Sequence, residues 1–314
     1  MLGYLVRRLL LAIPVMFVVA AGVFLLLYLT PGDPVSVILG PDASPQQAQE
    51  LRQRLGLDQP VPIQIVRWFG RLLHGDLGQS IYLNRPVTRT ILERAEPTLL
   101  LTLLATLFAI LLGLPIGIVS AMRAGSWADL GAMLVALGGI SMPSFWVGLN
   151  LIFVFAVVMG VLPVAGYQPL DKGLWENLRY LLLPAVTLGF AQAALLARMA
   201  RSLMLEVLRE DYVRTARSKG VAERRVILSH ALRNAMVPLV TVMGLTFAIL
   251  MGGAVITEQV FNIPGIGRLL VQSVLRRDYP VVQGIVLVIA FNYVVINLLV
   301  DVLYGLFDPR VRHS

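Results

Sequence analysis

Residues 234–257 read NAMVPLVTVMGLTFAILMGGAVIT, a run of 24 residues without Asp, Glu, Lys or Arg. About 20 such residues in a helix, at about 1.5 Å each, cross the hydrocarbon core of a bilayer, which is about 30 Å thick. The run therefore predicts a transmembrane helix. Directly before it lies the Arg-rich segment 198–233, so a charged and an apolar segment follow each other here.

Five further runs lack the same four charged residue types. They are Leu9–Gly32, Pro97–Met122, Leu130–Leu170, Tyr180–Ala197 and Tyr279–Val300. Four of these five have the length of single passes. The 41-residue run 130–170 is long enough for one pass or two, and Pro143, Pro163 and Pro169 interrupt it. We interpret it as one long, kinked pass over residues 130–161, followed by a loop.

The composition of the whole chain agrees with a membrane protein. Of its 314 residues, 57% are hydrophobic and 14% are charged, and the mean hydropathy is +0.79. An ordinary soluble domain is about 25% charged, so a soluble, disordered or collagen-like protein is excluded. There is no cysteine, which excludes disulfides, thiolate metal sites and cysteine nucleophiles.

The distribution of charge predicts the topology. With six passes and both termini cytoplasmic, the inside segments are residues 1–8, 123–129, 198–233 and 304–314. These segments hold 14 basic and 6 acidic residues, whereas the outside segments are close to neutral. Positive charge concentrates on the cytoplasmic side of membrane proteins, so this arrangement is favoured over one that places 198–233 outside. The predicted fold is an all-α polytopic membrane protein, and the basic pI of 10.2 reflects topology and not nucleic-acid binding.

Three regions follow from this topology. Residues 1–32 contain the N-terminus and the first transmembrane helix, 33–96 form an extracytoplasmic helical segment, and 97–314 form the core with helices two to six. The first apolar run extends over 9–29, which is too long for the apolar part of a signal peptide, and no signal-cleavage pattern follows it. We therefore expect this helix to be retained.

The extracytoplasmic segment carries helix start and stop signals. Ser44-Pro45 predicts the start of a helix that Gly56 ends. Pro62–His74 reads as a second helix and Pro86–Glu96 as a third. Two roles remain open for the segment: a cap packed on the membrane body, or a docking surface for an extracytoplasmic partner.

The inside loop 198–233 is the most informative part of the chain. It continues the fourth pass as a helix and then reads DYVRTARSKG over Asp211–Gly220. Asp211 predicts an N-cap and Gly220 a left-handed helix stop, which leaves a helix of about two turns. A second amphipathic helix over Ala222–Ala235 precedes Pro238, where we expect the chain to re-enter the bilayer. A basic loop could simply lie on anionic lipid, but the capped short helix favours a docking element.

The sequence shows no catalytic machinery. It has no phosphate-binding G-x-x-x-x-G-K-[ST] loop, and its two lysines, Lys172 and Lys219, do not follow glycines. The three histidines are scattered, so we expect no metal site and no bound cofactor. The chain is therefore predicted to be non-catalytic. A channel, a secondary carrier, a transport subunit driven by a separate ATPase and a purely structural membrane subunit all remain open.

Polar residues within the passes are candidates for a translocation path. Asn150, Gln192 and Asn292 either line such a path or bond a neighbouring helix. Asn297 and Asp301 are four residues apart on one helix face, and Asp301 is expected to pair with a loop arginine. The pattern Gly113-x-x-x-Gly117 predicts a close approach of two helices.

Several separated motifs resemble the permeases of bacterial ABC importers, in the form found in oligopeptide, dipeptide and nickel importers. They are Arg8-Leu9-Leu10, Ile13-Pro14, Pro31-Gly32-Asp33-Pro34, Gly75-Asp76-Leu77-Gly78, Arg85-Pro86-Val87, Pro143-Ser144-Phe145-Trp146, Asp211–Gly220, Pro264-Gly265-Ile266-Gly267, Asp278-Tyr279-Pro280-Val281, Leu299-Val300-Asp301 and Asp308-Pro309-Arg310. The resemblance covers nearly the whole chain. The motifs are specific as a set, although each alone is weak.

The inside loop resembles the EAA loop of this family, whose general pattern is E-A-A-x-x-x-G. Arg214, Thr215, Ala216 and Gly220 occupy the matching positions, so the Glu and the first Ala are replaced. The Arg-Thr-Ala form is common in peptide-importer permeases. The residues that the resemblance assigns to ATPase coupling are Asp211, Tyr212, Val213, Arg214, Thr215, Ala216, Arg217, Lys219, Gly220 and Val221.

The resemblance implies a transport complex in the bacterial or archaeal cell (inner) membrane. Its implied partners are a second, homologous permease, two ABC ATPases that use ATP and Mg, an extracytoplasmic substrate-binding protein and membrane lipid. The helix over Asp211–Gly220 would dock into an ATPase, with Tyr212 and Val213 giving apolar contacts and Arg214, Arg217 and Lys219 pairing with acids. The implied cargo is di- or oligopeptides, with nickel chelates or glutathione as alternatives within the same family.

Overall fold

A computed structural model describes residues 2–29, 35, 39 and 44–307, and eleven helices account for most of them. They are α1 (Leu2–Leu29), α2 (Pro45–Leu55), α3 (Val61–Leu73), α4 (Val87–Met122), α5 (Trp127–Ser141), α6 (Ser144–Val158), α7 (Leu174–Leu208), α8 (Asp211–Ser218), α9 (Glu223–Val260), α10 (Ile266–Leu275) and α11 (Tyr279–Phe307). Within these residues no strand forms, only an isolated bridge between Gln79 and Pro86. The motifs at 31–34 and 308–310 lie outside the described residues.

In the described part of the chain, four helices are long and apolar enough to cross a membrane. They are α4, α7, α9 and the part of α11 over Tyr279–Val300. The pair α5 and α6 is a fifth candidate if the two count as one broken span, and α1 contributes a shorter apolar stretch over Leu10–Leu25. The prediction of an all-α, multi-pass protein is therefore confirmed for the described part of the chain.

Helices α4 and α7 pack closely at the centre of the fold. A Cβ atom placed on Gly113 would lie 2.5 Å from the carbonyl oxygen of Ala193, and one on Gly117 would lie 2.4 Å from that of Ala197. The expected close approach at this Gly-x-x-x-Gly pattern is confirmed, because only residues without side chains allow the two backbones to come this near. Gly189 of α7 makes the reciprocal contact with α4.

The predicted single pass over residues 130–161 is broken in the structure. Helices α5 and α6 meet at an angle of 103°. Pro143 is the physical cause, because a proline restricts the residue before it to extended backbone, and Met142 has φ −81° and ψ 131°. The last part of α6, Ile152–Val158, is a π-helix. The expectation of a kinked helix was therefore wrong in degree, since two separate helices form.

Two predicted helix boundaries were also wrong. Helix α4 runs through Pro97 without a break, so Pro86–Glu96 is not a separate helix. Likewise Ala222–Ala235 is not separate from the next pass, because α9 continues from Glu223 through a π-helical turn and past Pro238. A proline within a long packed helix removes one hydrogen bond, and tertiary packing tolerates that loss. The division of the chain at residue 96 remains a prediction.

Helices α2 and α3 lie where the sequence signals place them. Ser44 and Gln47 form a capping box at the start of α2, and Gly56 ends it with φ +69°. Helix α3 ends at Leu73, and Gly75 follows with φ +74°. These signals predict helix ends well because they act within one turn of the chain.

Candidate functional site

The short inside helix predicted from the sequence is present as α8, Asp211–Ser218. Its start differs from the prediction, because Glu210 and not Asp211 occupies the N-cap position, and no side chain caps the helix. Asp211 is the first helical residue, and its carboxylate lies 3.4 Å from Nη1 of Arg214. Both side chains are strongly exposed, so this pair contributes little to stability.

The end of α8 agrees with the prediction. Gly220 has φ +78°, in the left-handed region that favours glycine. Its N–H donates to the carbonyl of Arg217 at 2.9 Å, and the N–H of Val221 donates to that of Ala216 at 3.2 Å. These two bonds form a Schellman motif, which satisfies carbonyls at the helix end and turns the chain towards α9.

Val213 anchors α8 to the rest of the protein. Its side chain is 0% exposed, whereas its neighbours Tyr212 and Arg214 are exposed. The expectation that Val213 contacts an ATPase is therefore corrected: the side chain faces this chain's own body. Thr215, Ser218 and Lys219 complete the exposed face of the helix, and Ala216 is half-buried.

Tyr212 links α8 to the start of the apolar part of α9. The side-chain amide of Asn234 donates to the Tyr212 hydroxyl oxygen at 2.8 Å and to the carbonyl oxygen of His230 at 2.9 Å. The ring of Tyr212 nevertheless remains exposed. A partner that docks on α8 would therefore meet an apolar ring whose position is already fixed.

Arg217 is held by an acid of its own chain. Its Nε lies 3.1 Å from Oε2 of Glu223, and its Nη2 lies 2.7 Å from Oε1. This bidentate contact bridges the turn at Gly220, and hydrogen bonding to Glu223 raises the pKa of the Arg217 guanidinium. Pairing of Arg217 with an ATPase stays a prediction, and Arg214 and Lys219 are the other exposed cations of this helix and its end.

A buried charged cluster lies near α8 and was not predicted. The Arg201 guanidinium donates to both carboxylate oxygens of Asp129, at 2.6 and 2.7 Å. The Ser120 hydroxyl and the Gly125 N–H also donate to this carboxylate. The cluster joins the α4–α5 turn to α7, ten residues before α8 begins. Asp129 and Arg201 are 72 residues apart, and no local signal pairs them.

Glu258 is a further buried acid, near the ends of α4 and α9 that lie away from α8, and it explains one of the sequence motifs. Glu258 is fully buried; it accepts the Thr98 hydroxyl at 2.6 Å and the Arg268 N–H at 2.8 Å. A Cβ on Gly265 would lie 2.3 Å from its carboxylate, so the Pro264-Gly265-Ile266-Gly267 motif leaves room for this acid. These contacts fix the start of α10 against α4 and α9.

Asp278 fixes the turn after α3 in a similar way. Its carboxylate accepts the Ser80 hydroxyl and the N–H groups of Ile81, at 3.1 Å, and Tyr82, at 3.3 Å. The Arg276 guanidinium lies 3.9 Å from the centre of the Tyr82 ring. The turn after α3 is therefore tied to the residues just before α11, and it is part of the folded body.

The predicted path residues lie on three different helices. Asn150 of α6 is exposed and donates to the Trp146 carbonyl of its own helix at 2.7 Å. Gln192 of α7 is half-buried, and its Oε1 has no hydrogen-bond partner in the described part of the chain. Asn292 of α11 is half-buried. No hydrogen bond joins any two of the three among the described residues, so the path remains a prediction.

The remaining polar candidates are Asn297 and Asp301 on the second half of α11. Asn297 donates to the Tyr293 carbonyl of its own helix at 3.0 Å, and the side chain of Asp301 lies outside the described part of the structure. Among residues 2–29, 35, 39 and 44–307, no group of three His, Asp or Glu side chains is placed to hold a metal ion.

The described helices define a multi-pass, all-α fold, and its class follows from comparison with known families. A family model described as "Binding-protein-dependent transport system inner membrane component" matches residues 113–313. A second, described as the N-terminal part of a binding-protein-dependent transport system membrane component, matches residues 1–102. The chain therefore belongs to this family of ABC importer permeases, and the predicted resemblance is confirmed.

Curated relatives match over their full lengths. A putative peptide transport system permease protein of Brucella abortus (strain 2308) is 50% identical over 316 residues, with 100% of each chain covered. The glutathione transport system permease protein GsiC of Escherichia coli (strain K12) is 45% identical over 314 residues, again with 100% of each covered.

A solved structure supports the fold. The MetNI methionine ABC transporter, in an inward-facing conformation, matches with a TM-score of 0.58 and 18% identity. The match covers 70% of this chain and 97% of the other. At this identity the likeness concerns the fold alone.

Proposed function

We propose that this chain is one of two homologous permeases in an importer of di- or oligopeptides, driven by two ABC ATPases. The observation that carries the proposal is the α8 surface: Val213 and Tyr212 fix the helix to the body, while Arg214 and Lys219 face outward. A rigid helix with an exposed basic face can transmit motion from a partner, which a flexible lipid-bound loop cannot do.

The proposed topology has six passes with both termini in the cytoplasm. The concentration of positive charge in residues 198–233 supports it. So do Trp127 at the start of α5 and Trp175 at the start of α7, which are both strongly exposed, as expected for tryptophans at the two membrane–water interfaces. In this topology α8 lies in the cytoplasm, and α2, α3 and α10 lie outside, in the inner membrane of a bacterial cell.

In the proposed mechanism ATP and Mg act only in the partner ATPases, and this chain binds no cofactor. Closure of the ATPases moves α8, and the motion passes through the Tyr212–Asn234 contact into α9. It also passes through α7, which the Asp129–Arg201 cluster joins to the α4–α5 turn. The helices then alternate between inward and outward access, and a substrate-binding protein delivers cargo at the outer face.

The proposed cargo is a short peptide, and glutathione is the second candidate. Both rest on relatives: the Brucella protein is named as a peptide transport permease and the Escherichia coli protein as a glutathione transport permease. Glutathione is itself a tripeptide derivative, so both candidates need a path for a molecule with amide groups and carboxylates.

The proposal is tested by reconstituting the complex in vesicles. The chain, its homologous permease, the ATPases and the binding protein are combined, and uptake of labelled tripeptides and of glutathione is measured with and without ATP. We expect saturable uptake that requires ATP and the binding protein. Uptake by this chain alone, without ATP, would instead establish a channel or a secondary carrier.

A further inference from the structure

A cavity of about 680 Å³ lies near the end of the helices opposite to α8. Its walls come from α2, α3, the second half of α1 and the first turns of α11. Pockets of about 300–1,000 Å³ are typical of small-molecule sites. The size therefore suits a ligand such as a tripeptide or a lipid headgroup, and the lining residues define which kind.

Two arginines give the cavity a positive wall. Arg67 and Arg71 both line it and are one helical turn apart, so they share a face of α3. Neither forms an ion pair in the described part of the chain, in contrast to Arg201 and Arg217. Asp76 also lines the cavity, and one of its carboxylate oxygens accepts the Gly78 N–H at 2.8 Å. Two guanidinium groups on one wall attract an anionic oxygen group.

Gln283 supplies an unused hydrogen-bonding group from the opposite wall. The residue is 8% exposed, lies on the second turn of α11 and lines the cavity. Its side-chain amide makes no hydrogen bond among the described residues. The Tyr279 hydroxyl, which also lines the cavity, is buried and has no hydrogen-bond partner among the described residues. Buried polar groups are nearly always hydrogen-bonded, so this hydroxyl beside the Gln283 amide points to a ligand there.

An aromatic surface completes the cavity. Trp68 lies between the two arginines in sequence, is buried, and contacts Phe24 of α1 with ring centres 5.5 Å apart. Both residues line the cavity. A ligand that fits these walls has an anionic group, an amide or hydroxyl group and an apolar part.

We propose that this cavity binds a small anionic ligand, with its carboxylate or phosphate at Arg67 and Arg71 and its polar body at Gln283. Two sources offer this chemistry: the free carboxylate of a short peptide, and the phosphate of an acidic lipid in the outer leaflet. The peptide source rests on the proposed function, whereas the anion site itself does not.

The test uses the full transporter complex in nanodiscs of neutral phosphatidylcholine, without ATP. One arm measures binding of labelled Ala-Ala-Ala and of the same peptide with a C-terminal amide. The second arm adds phosphatidylglycerol and measures by mass spectrometry how much of it stays with the purified complex. Arg67→Gln/Arg71→Gln and Gln283→Leu are compared with the control Arg179→Gln, whose arginine pairs with Glu176 away from the cavity.

We expect the double variant to lose at least about tenfold in affinity for one of the two ligands, because both charge-assisted contacts are removed. Gln283→Leu is expected to weaken binding of the same ligand less, and Arg179→Gln to leave it unchanged. Loss of peptide binding, with the amide form binding weakly to the wild type, identifies the peptide source; loss of phosphatidylglycerol identifies the lipid source. If both ligands bind the double variant as they bind Arg179→Gln, the proposal is wrong.

Failure of this site and failure of the proposed function are distinguishable. Binding is measured without ATP, so it does not depend on coupling through α8. Assembly of the double variant with the ATPases, checked by size-exclusion chromatography, shows that its fold is retained.

Discussion

Arg217 and Glu223 lie on either side of the Gly220 turn and form a bidentate ion pair, with the shorter N–O distance 2.7 Å. The pair joins the last turn of α8 to the first residue of α9. The pair therefore forms within this chain, and we expect it to help set the angle between α8 and the pass that follows. In the proposed complex, the exposed face of α8 is the surface offered to an ATPase.

The first prediction concerns this ion pair. Arg217→Leu and Glu223→Leu should each reduce the peptide transported per ATP hydrolysed by about 1.4- to fivefold, since an exposed pair contributes about 0.2–1 kcal/mol. The double variant should transport as much peptide per ATP hydrolysed as either single variant. Transport and ATP hydrolysis are measured together in vesicles. If only Arg217→Leu reduces transport, the arginine acts on a partner, and the proposed role of the Arg217–Glu223 pair is refuted.

The second prediction concerns the exposed cations of α8. Arg214→Glu with Lys219→Glu should release the ATPases from the complex, because two attractive charges become repulsive. In the wild-type complex, binding of the ATPases should weaken as the salt concentration rises, since exposed charges are screened. Copurification of the ATPases is the measurement. Arg224→Glu, an exposed charge reversal just beyond the turn, is the control and should retain them.

The third prediction concerns the buried anchor of α8. Val213→Ala should destabilise the packing of α8 by about 1–3 kcal/mol, the usual range for a core truncation. The helix would then detach from the body, and trypsin would cleave at Arg214 and Arg217 faster than in the wild type. Thr215→Ala, on the exposed face, serves as the control. Equal cleavage rates in the two variants would show that Val213 is not an anchor.

The fourth prediction concerns the Asp129–Arg201 cluster. Asp129→Asn leaves a largely buried guanidinium without its counter-charge. Removing one partner of a buried pair costs about 3–5 kcal/mol, and we expect the lower end because Arg201 is partly exposed. Asp129→Leu with Arg201→Leu should be less destabilised than Asp129→Asn. Thermal unfolding in detergent measures the stabilities of the two variants. If the double Leu variant were the less stable of the two, the cost would not come from an unpaired Arg201.

Sequence reasoning succeeded where the cause is local. Ser44 and Gly56 bound α2, and Gly220 ends α8, because caps and left-handed turns act within a few residues. The Gly113 and Gly117 pair also correctly predicted a close contact between two helices, α4 and α7. The family was recognisable because its motifs are short and contiguous.

Sequence reasoning failed where the cause is tertiary. Pro97 and Pro238 do not end helices, since packing holds the chain on both sides of each proline. The sequence near Val213 does not show which face of a two-turn helix is buried. The sequence near Arg217 does not show that its guanidinium pairs with Glu223. The Asp129–Arg201 pair joins positions that only the fold brings together.

The central claim is that α8 lies in the cytoplasm and contacts an ATPase, and the absence of cysteine from the chain allows a direct test. Ser218→Cys is introduced on the exposed face of α8 and Gln79→Cys, as a control, on the extracytoplasmic segment. Each is labelled from one side of sealed vesicles and then cross-linked in the assembled complex. We predict that Ser218→Cys reacts only from the cytoplasmic side and cross-links to an ATPase, while Gln79→Cys reacts only from outside. Labelling of Ser218→Cys from the outside, or cross-links to lipid alone, would contradict the account.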